Sequence, residues 1–401
     1  MLEATRCGAG ASGRNGGFLS SSLTHGIANG LTRFPNDMEC LETLGMRNFD
    51  ALRDDLQRHG IACDYEATGD LLVALAPHEL PGLRQEAQLL ERFGHAVTLL
   101  DGPAVRSEVS SPGYLGALWV RSGAALVNPG RLAEGLRAAA VAAGVRVCEL
   151  SPVRAVRQDG EAMTVVGDGG VVTAARVLLA TSAYAPLVRS VRHFVAPVYD
   201  YVLTTEPLTG EQWRSIGWSA RQGVSDMGNQ FHYYRPTADG RILWGGYDAV
   251  YRYGGDVGPH RDQDDAAFAR LSQHFFHTFP QLEGVRFSHR WGGAIDTCSR
   301  FSVFFGRAFG GRVAYAVGYT GLGVGASRFG GEVALDLLDG RSTIATGLDL
   351  VRRRPVPFPP EPVRSAVIQL TRNRLAAADR RDGRRGLWLR SLDRLGLGFD
   401  S

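Results

Sequence analysis

Lysine is absent from this sequence: all 44 Lys and Arg residues of the 401-residue chain are arginine. Without an amine side chain, the protein cannot form a Schiff base with pyridoxal phosphate or an aldol substrate. It also lacks the phosphate-binding lysine of P-loop proteins and the strand lysine of protein kinases. Chemistry supplied by a bound cofactor is not excluded.

Cysteine is scarce, and the sequence contains no Cys-x-x-Cys pair. The five cysteines are far apart along the chain: Cys7, Cys40, Cys63, Cys148 and Cys298. An odd, scattered set indicates free thiols in a reducing compartment rather than a disulfide framework or a zinc site, so we predict a cytoplasmic protein without a metal. No apolar run reaches about 18 residues and the N-terminus has no apolar signal core, which favours neither a membrane span nor secretion.

Charge is unevenly distributed. Residues 341–401 carry 13 Arg and six acids, whereas residues 1–340 have a net charge of -4. A basic tail can bind nucleic acid or anionic lipid, but here Arg alternates with Asp and Leu. We therefore favour an amphipathic helix that docks on the protein and predict no nucleic-acid partner.

Strand and helix patterns alternate along most of the chain, which is typical of an α/β protein, and residues 194–290 are richer in strands. We predict a helix start at Asn128-Pro129, a strand at Val145–Cys148 and a final basic helix at Val363–Ala378. Five prolines between Pro355 and Pro362 form a stiff connector.

Gly8-Ala9-Gly10-Ala11-Ser12-Gly13 spells the dinucleotide-binding pattern Gly-x-Gly-x-x-Gly. The pattern binds pyrophosphate when a buried strand precedes it and a helix follows it. Only seven residues precede Gly8 and none of them forms an apolar strand, so we interpret this match as coincidental.

The whole opening of the chain points elsewhere. Leu2-Glu3-Ala4 followed by Ser12-Gly13-Arg14-Asn15-Gly16-Gly17 resembles the glycine/D-amino-acid oxidase superfamily of FAD-dependent amine oxidoreductases, in the branch similar to gamma-glutamylputrescine oxidase. The resemblance implies that Glu3 binds the adenosine ribose and that Ser12, Gly13, Arg14, Asn15, Gly16 and Gly17 contact the pyrophosphate and flavin. A carboxylate can accept both ribose hydroxyls, and glycine lets backbone amides approach phosphate.

Later segments follow in the order that the family implies. Val153 opens the hairpin whose backbone meets adenine, and Thr181 lies in the family's strand end. The last flavin-binding turn runs from a strand through a glycine-rich bend into a helix whose N-terminus can stabilise a reduced flavin. Its residues are Gly318, Tyr319, Thr320, Gly321, Leu322 and Gly323.

One departure concerns the start of the family's FAD domain. A strand, a glycine turn and a helix, roughly 30 residues, are expected upstream of Glu3. Either Met1 lies inside a longer reading frame, which we favour, or the protein is a non-catalytic or cofactor-poor remnant of the fold. The chain as given is expected to bind FAD poorly.

The predicted substrate wall rests on two segments similar to those of the family. One contains Tyr233, Tyr234 and Arg235. The other contains Trp291 and Arg290, which is a candidate for binding a substrate carboxylate. Alternate residues of a strand face opposite sides, so only one of Tyr233 and Tyr234 can face the flavin, and the sequence does not show which. Because no Cys lies at 290–293, where some relatives bond the flavin, the FAD is predicted to be non-covalent.

These observations predict a discontinuous FAD-binding domain of the D-amino-acid-oxidase-like Rossmann type (1–55, 122–192 and 290–345). A substrate domain with a mixed or antiparallel sheet (56–121 and 193–289) and a C-terminal extension (346–401) complete the chain. The resemblance implies that a small amine or amino acid, for example a gamma-glutamyl-polyamine-like compound, gives hydride to FAD and that the imine is then hydrolysed. An acid group on such a substrate would suit Arg290 or Arg235. In several flavin amine oxidases a lysine near the flavin helps to activate oxygen. Its absence favours a dehydrogenase, and the sequence does not predict an oligomeric state.

Overall fold

The computed structural model describes residues 1–184 and 186–398. The α-helices are α1 Ala11–Arg14, α2 Ile27–Arg33, α3 Met38–Arg58, α4 Leu80–Arg92, α5 Gly102–Glu108, α6 Pro129–Ala142, α7 Gly210–Ile216, α8 Asp265–Thr278, α9 Gly323–Asp339, α10 Ile344–Gly347, α11 Asp349–Arg352, α12 Val363–Asp379 and α13 Leu387–Arg394. The strands are β1 Phe18–Ser20, β2 Asp70–Ala74, β3 Val97–Asp101, β4 Gly116–Val120, β5 Ala124–Leu126, β6 Val153–Asp159, β7 Ala162–Gly167, β8 Gly170–Ala174, β9 Val177–Leu179, β10 Ala196–Thr205, β11 Gly223–Asp226, β12 His232–Pro236, β13 Ile242–Gly246, β14 Val250–Tyr251, β15 Phe287–Thr297, β16 Phe304–Ala308 and β17 Val313–Val317.

The largest sheet has nine strands in the order β14-β10-β13-β12-β11-β2-β4-β3, with β15 along the other edge of β10. Its pairs are antiparallel except β11 with β2, which is parallel. Most of these strands belong to the predicted substrate domain, but β15 continues to Thr297, past the predicted boundary at 290. Strand β15 therefore carries the sheet directly toward the predicted flavin turns.

Two smaller sheets belong to the predicted FAD domain. Strand β17 pairs parallel with β9 and antiparallel with β16, and β6, β7 and β8 form an antiparallel meander. Helix α9 packs on β17 and beside α3, burying Phe329 and Val333 against Leu41. The α/β class predicted from the sequence is thus confirmed.

Local signals in the sequence explain several helix boundaries. The Asn128 side chain accepts a hydrogen bond from the Arg131 amide at the start of α6, with Pro129 in the first turn, as predicted. Helix α9 ends at Gly340 in a left-handed conformation (φ 68°). The strand predicted at Val145–Cys148 is wrong: only Cys148 pairs, by a single parallel bridge to Leu2. Of residues 145–147, Arg146 bonds to the same segment through its carbonyl, which accepts from the Met1 amino group at 2.6 Å, but it forms no bridge.

The C-terminal extension docks on the large sheet. Helix α12 lies against β14, and its last residue, Asp379, accepts hydrogen bonds from the backbone amides of Asn229 and Gln230. The Glu361 side chain accepts a 2.6 Å hydrogen bond from Tyr251. The basic tail therefore folds and packs on the large sheet, as expected for an amphipathic helix that docks on the protein. No helix in the described part of the chain is both long and apolar enough to span a bilayer.

Candidate active site

The predicted flavin loop is a single helical turn, α1, that is held rigid by Asn15. The Asn15 Nδ2 atom donates to the carbonyls of Ala11 and Ser12 at 3.0 and 3.1 Å, and its Oδ1 accepts from the Gly17 amide at 2.9 Å. These three bonds close the turn and fix the direction in which the chain enters β1. The loop therefore has a defined shape without a ligand.

The glycines of this loop are required by close packing. A Cβ on Gly13 would lie 2.2 Å from the Gly8 carbonyl oxygen, and one on Gly16 would lie 2.5 Å from the Tyr233 ring. Gly17 has a φ of 80°, and a Cβ there would lie 2.1 Å from the Val127 carbonyl oxygen. A side chain at any of these positions would displace the loop.

Strand β15 also contacts the predicted flavin loop, at Arg14. The Trp291 indole donates a 2.8 Å hydrogen bond to the Arg14 carbonyl, and the Arg14 guanidinium forms an ion pair with Asp262 and bonds to the Gly292 carbonyl. The structure thus brings Arg14 and Trp291 together. Because the Arg14 guanidinium is paired with Asp262, any contact of Arg14 with a cofactor would come from its backbone.

The second predicted flavin turn, Gly318–Gly323, is organised by a buried carboxylate. Asp296 accepts a 2.7 Å hydrogen bond from the Gly318 amide. Its pKa is raised to about 6 by burial, although the backbone amides of the turn oppose this rise. Thr320, with a φ of 53°, donates to the Gly318 carbonyl, and its own carbonyl lies 3.1 Å from the His25 ring. Asp296 and His25 were not predicted as site residues.

Other residues of the Gly318–Gly323 turn differ in how much space surrounds them. The Tyr319 ring lies back against α9, where its hydroxyl is 2.2 Å from the position of a Cβ on Gly330, and burial raises its pKa well above the usual range. Gly321 has open space around it, with no atom within 4 Å of a Cβ position. Helix α9 begins at Gly323 without a side-chain cap, which leaves its first amides free for another acceptor.

The dinucleotide end of the predicted site is formed by three separate segments. The Glu3 amide bonds to the Cys148 carbonyl, and its Oε1 accepts from the Thr5 amide at 3.0 Å. The turn after Thr181 places the Tyr184 ring 3.2 Å from the Cβ position of Gly10. Val153 begins β6, two residues after Ser151, whose amide bonds to the Glu3 carbonyl. Glu3 and the start of β6 are therefore neighbours, and the turn after Thr181 contacts the flavin loop at Gly10.

Strand β12 divides the predicted substrate wall into two faces. Tyr233 and Arg235 face the flavin loop: the Tyr233 hydroxyl bonds to Asp200, and Arg235 donates to the carbonyls of Gly16 (2.5 Å) and Val127 (2.9 Å). Burial raises the pKa of Asp200 to about 6 and lowers that of Arg235 to about 10. With Nε and Nη2 bonded to backbone and Nη1 bonded to Pro236, Arg235 is placed to hold the loop rather than a substrate carboxylate.

The other face of β12 lies in the core. Tyr234 is 1% exposed, and its hydroxyl lies 2.5 Å from that of Tyr114. Arg290 is half exposed, pairs with Asp265 at 2.8 Å and lies over the Phe268 ring. The structure therefore does not bring Tyr234 or Arg290 together with Tyr233 and Trp291. The face of the sheet on which each of these side chains lies is set by how the strands pair, which the alternating sequence pattern does not show.

A cavity of about 310 Å³ is lined by Phe18–Ser20 of β1, which follow the first predicted flavin turn, and by Leu322 of the second. His25, Asp70, Glu42 and Glu86 also line it. A larger groove of about 590 Å³ runs along α6 and His59–Ala62, but neither turn lines it. No three His, Cys, Asp or Glu side chains in the described residues are grouped to hold a metal.

These features fit a flavin. The space at Gly321 and the uncapped start of α9 offer room and amide donors next to Leu322, which lines the cavity. At the dinucleotide end, Glu3 Oε2 accepts no hydrogen bond from the described residues and could bind a ribose hydroxyl. Glu3, the loop 12–17 and the turn 318–323 are thus the residues that would hold FAD.

Known proteins are similar to this chain in sequence and in fold. The chain is 36% identical over 349 residues to gamma-glutamylputrescine oxidoreductase of Escherichia coli K12, covering 85% of this chain and 78% of that protein. It is 28% identical to the probable oxidoreductase OrdL of Haemophilus influenzae, covering 87% and 79%. The fold is similar to that of glycine oxidase from Geobacillus kaustophilus, with a TM-score of 0.71, 20% identity and coverage of 86% and 88%. L-Proline dehydrogenase from P. horikoshii gives a TM-score of 0.68 at 17% identity, with coverage of 85% and 87%.

The family model described as DAO, FAD dependent oxidoreductase, matches residues 1–337. This range includes both glycine-rich turns, the nine-stranded sheet and the cavity between them. The chain therefore belongs to the DAO family of FAD-dependent oxidoreductases.

Proposed function

We propose that the protein oxidises the C-N bond of an amine or amino acid. The observation that carries the proposal is the cavity bounded by Phe18 after one flavin turn and by Leu322 in the other. The 36% identity to gamma-glutamylputrescine oxidoreductase supports an amine among the possible substrates. Bound FAD would take up the hydride from the carbon next to the nitrogen, and water would hydrolyse the resulting imine to a carbonyl compound and an amine or ammonia.

The protein contributes position and electrostatics. Arg235 and Asn15 fix the loop that would lie at the flavin, and Asp296 fixes the opposite turn. The free amides of α9 favour negative charge at that turn. The amine that is oxidised must be neutral to react. An ionised carboxylate beside it would stabilise its ammonium form and so oppose the reaction.

Product analysis tests this proposal. Protein loaded with FAD is incubated with amines or amino acids and an artificial electron acceptor, and we expect a carbonyl compound and a released amine or ammonia in equal amounts. Flavin-containing protein that yields neither product from any amine or amino acid would contradict the proposal.

We further propose an electron acceptor other than oxygen. The chain has no lysine, and the bases that line the cavity are His25 and His95. Burial lowers the pKa of His25, so its ring is neutral near pH 7. Mixing the reduced protein with air should reoxidise the flavin more slowly than an artificial quinone does, and faster reoxidation by air would refute this point.

The five cysteines form no disulfide among the described residues. We therefore propose a cytoplasmic location.

A further inference from the structure

Asp70 is a partly buried acid with no ion-pair partner among the described residues, in a protein rich in arginine. It opens β2, and its side chain lines the cavity. Its Oδ1 atom is shielded from solvent and has no hydrogen-bond partner among the described residues. Buried carboxylates are normally paired or hydrogen-bonded, because desolvation of an unpaired charge is costly. This position is therefore incomplete without a ligand.

The other acids of the cavity differ from Asp70. Glu42 pairs with His95 Nε2 at 2.8 Å, and His95 Nδ1 lies 3.4 Å from Ser122. Glu86 lies on helix α4, and burial raises the pKa of its carboxyl. No Arg is among the described residues that line the cavity, and its bases are His25 and His95. The cavity as a whole therefore favours a cation and disfavours a carboxylate.

An aromatic ring lies next to the Asp70 carboxylate. Asp70 Oδ1 and Phe18 Cε1 are 2.8 and 2.5 Å from the position of a Cβ on Gly223, so the two side chains are neighbours. The Phe18 ring meets that of Tyr233 edge to face at 5.7 Å, and Tyr233 packs on Gly16 of the flavin loop. An ammonium group suits a carboxylate beside an aromatic ring.

We propose that Asp70 binds a second ammonium group of the substrate, remote from the nitrogen that is oxidised. This inference rests on the proposed function and narrows it: the substrate is a diamine or another amine with a cationic end, rather than an amino acid held by its carboxylate. Arg235 and Arg290 support this reading, because both are engaged elsewhere and neither lines the cavity. Asp70 is thus a specificity-determining residue.

Three ligands with four carbon atoms each test the inference: 1,4-diaminobutane, butylamine and 4-aminobutanoate, which end in an ammonium, a methyl and a carboxylate group. Anaerobic flavin reduction in a stopped-flow instrument gives the Kd and the limiting rate for each. The FAD-loaded protein should bind the diamine at least about 10-fold more tightly than butylamine, as expected for one charged hydrogen bond. It should bind 4-aminobutanoate most weakly.

Asp70→Asn should reduce the preference for the diamine to within about 3-fold of butylamine, mainly by raising the Kd of the diamine. The control Glu283→Gln removes an exposed acid outside the cavity and should keep the full preference. An unchanged preference in Asp70→Asn, or equal loss in both variants, would overturn the inference. Asp70→Ser serves as a second variant, and the FAD absorbance of each variant shows whether it is folded.

Calorimetry separates this inference from the proposed function. Diamine binding is measured on protein whose flavin is kept reduced by dithionite, so that no turnover occurs. If no amine reduces the flavin but diamine binding still depends on Asp70, the inference stands and the proposed function fails. Equal binding by wild type and Asp70→Asn overturns the inference whatever the activity.

Discussion

Arg235 and Asp70 are two charged side chains on the large sheet with opposite environments. Arg235 is 6% exposed and donates to the carbonyls of Gly16, Val127 and Pro236. Asp70 lines the cavity, and its buried Oδ1 has no partner among the described residues. A buried guanidinium with a hydrogen bond at each nitrogen holds the protein together, whereas a carboxyl group with an unpartnered oxygen at a cavity is available to a ligand. The comparison assigns Arg235 to the scaffold and Asp70 to the substrate.

The largest expected effect is that of Arg235→Ala. It leaves two buried carbonyls of the loop region without donors and opens a void, so we expect a loss of about 4 kcal/mol of unfolding free energy. FAD affinity should fall with it, because the loop 15–17 loses its anchor. Urea denaturation measures the stability. A stable Arg235→Ala variant that keeps FAD but loses only carboxylate-bearing substrates would reverse the assignment.

Gly17→Ala should be the next most damaging change. The new Cβ would meet the Val127 carbonyl at 2.1 Å in a left-handed backbone, and we expect a loss of about 3 kcal/mol. Gly254→Ala is the matched control, since Gly254 has a φ of 77° and no atom within 4 Å of a Cβ position. It should lose only about 1 kcal/mol. Equal losses would show that the close packing of the loop is unimportant.

Asp70→Asn should stabilise the protein at alkaline pH. Burial raises the Asp70 pKa from 3.8 to about 7. Between pH 4 and 7 the unfolded chain has already released this proton while the folded protein still holds it, so the free energy of unfolding falls as pH rises. The wild type and the Asp70→Asn variant share the other titratable groups that line the cavity, which are Glu42, Glu86, His95 and His25. The buried Asp200 and Asp296 contribute equally to the pH dependence of both proteins.

At pH 8 we expect the variant to be about 2 kcal/mol more stable than the wild type, and similar to it at pH 4. Thermal unfolding across this range measures the difference. A variant that is less stable than the wild type at pH 8 would indicate that Asp70 has a structural partner.

Arg290→Ala should have the smallest effect. Its pair with Asp265 is exposed, and such pairs contribute about 0 to 1 kcal/mol. The sequence-based hypothesis of a carboxylate-binding Arg290 expects amines with a carboxylate to be weakened more than neutral ones. The structure instead leads us to expect equal, small changes in kcat/KM for both, and a selective loss would restore Arg290 to the substrate site.

Much of the fold follows from local sequence patterns. Asn128-Pro129 and Gly340 mark helix ends because capping depends on neighbouring residues. The strand predicted at Val145–Cys148 is reduced to one bridge, between Cys148 and Leu2, because pairing depends on a distant segment that the local pattern does not specify. Helix α7, which begins at a capping box formed by Thr209 and Gln212, and helix α13 were not predicted, although the Thr209 signal was present.

The site was less predictable, for a physical reason. The two glycine turns could be located because each is a continuous segment. The roles of Tyr234 and Arg235 depend on which face of β12 meets the loop, and this is set by pairing with β11 and β13. Asp70 at the start of an apolar strand was a visible signal, but its isolation depends on β11, Phe18 and the cavity together.

The most direct test of the account is anaerobic addition of 1,4-diaminobutane to the FAD-loaded protein. We predict that the flavin absorbance band at about 450 nm disappears as the diamine is oxidised. A flavin spectrum that stays oxidised with this diamine and with every other amine or amino acid would contradict the central claim, that this cavity serves flavin-dependent amine oxidation.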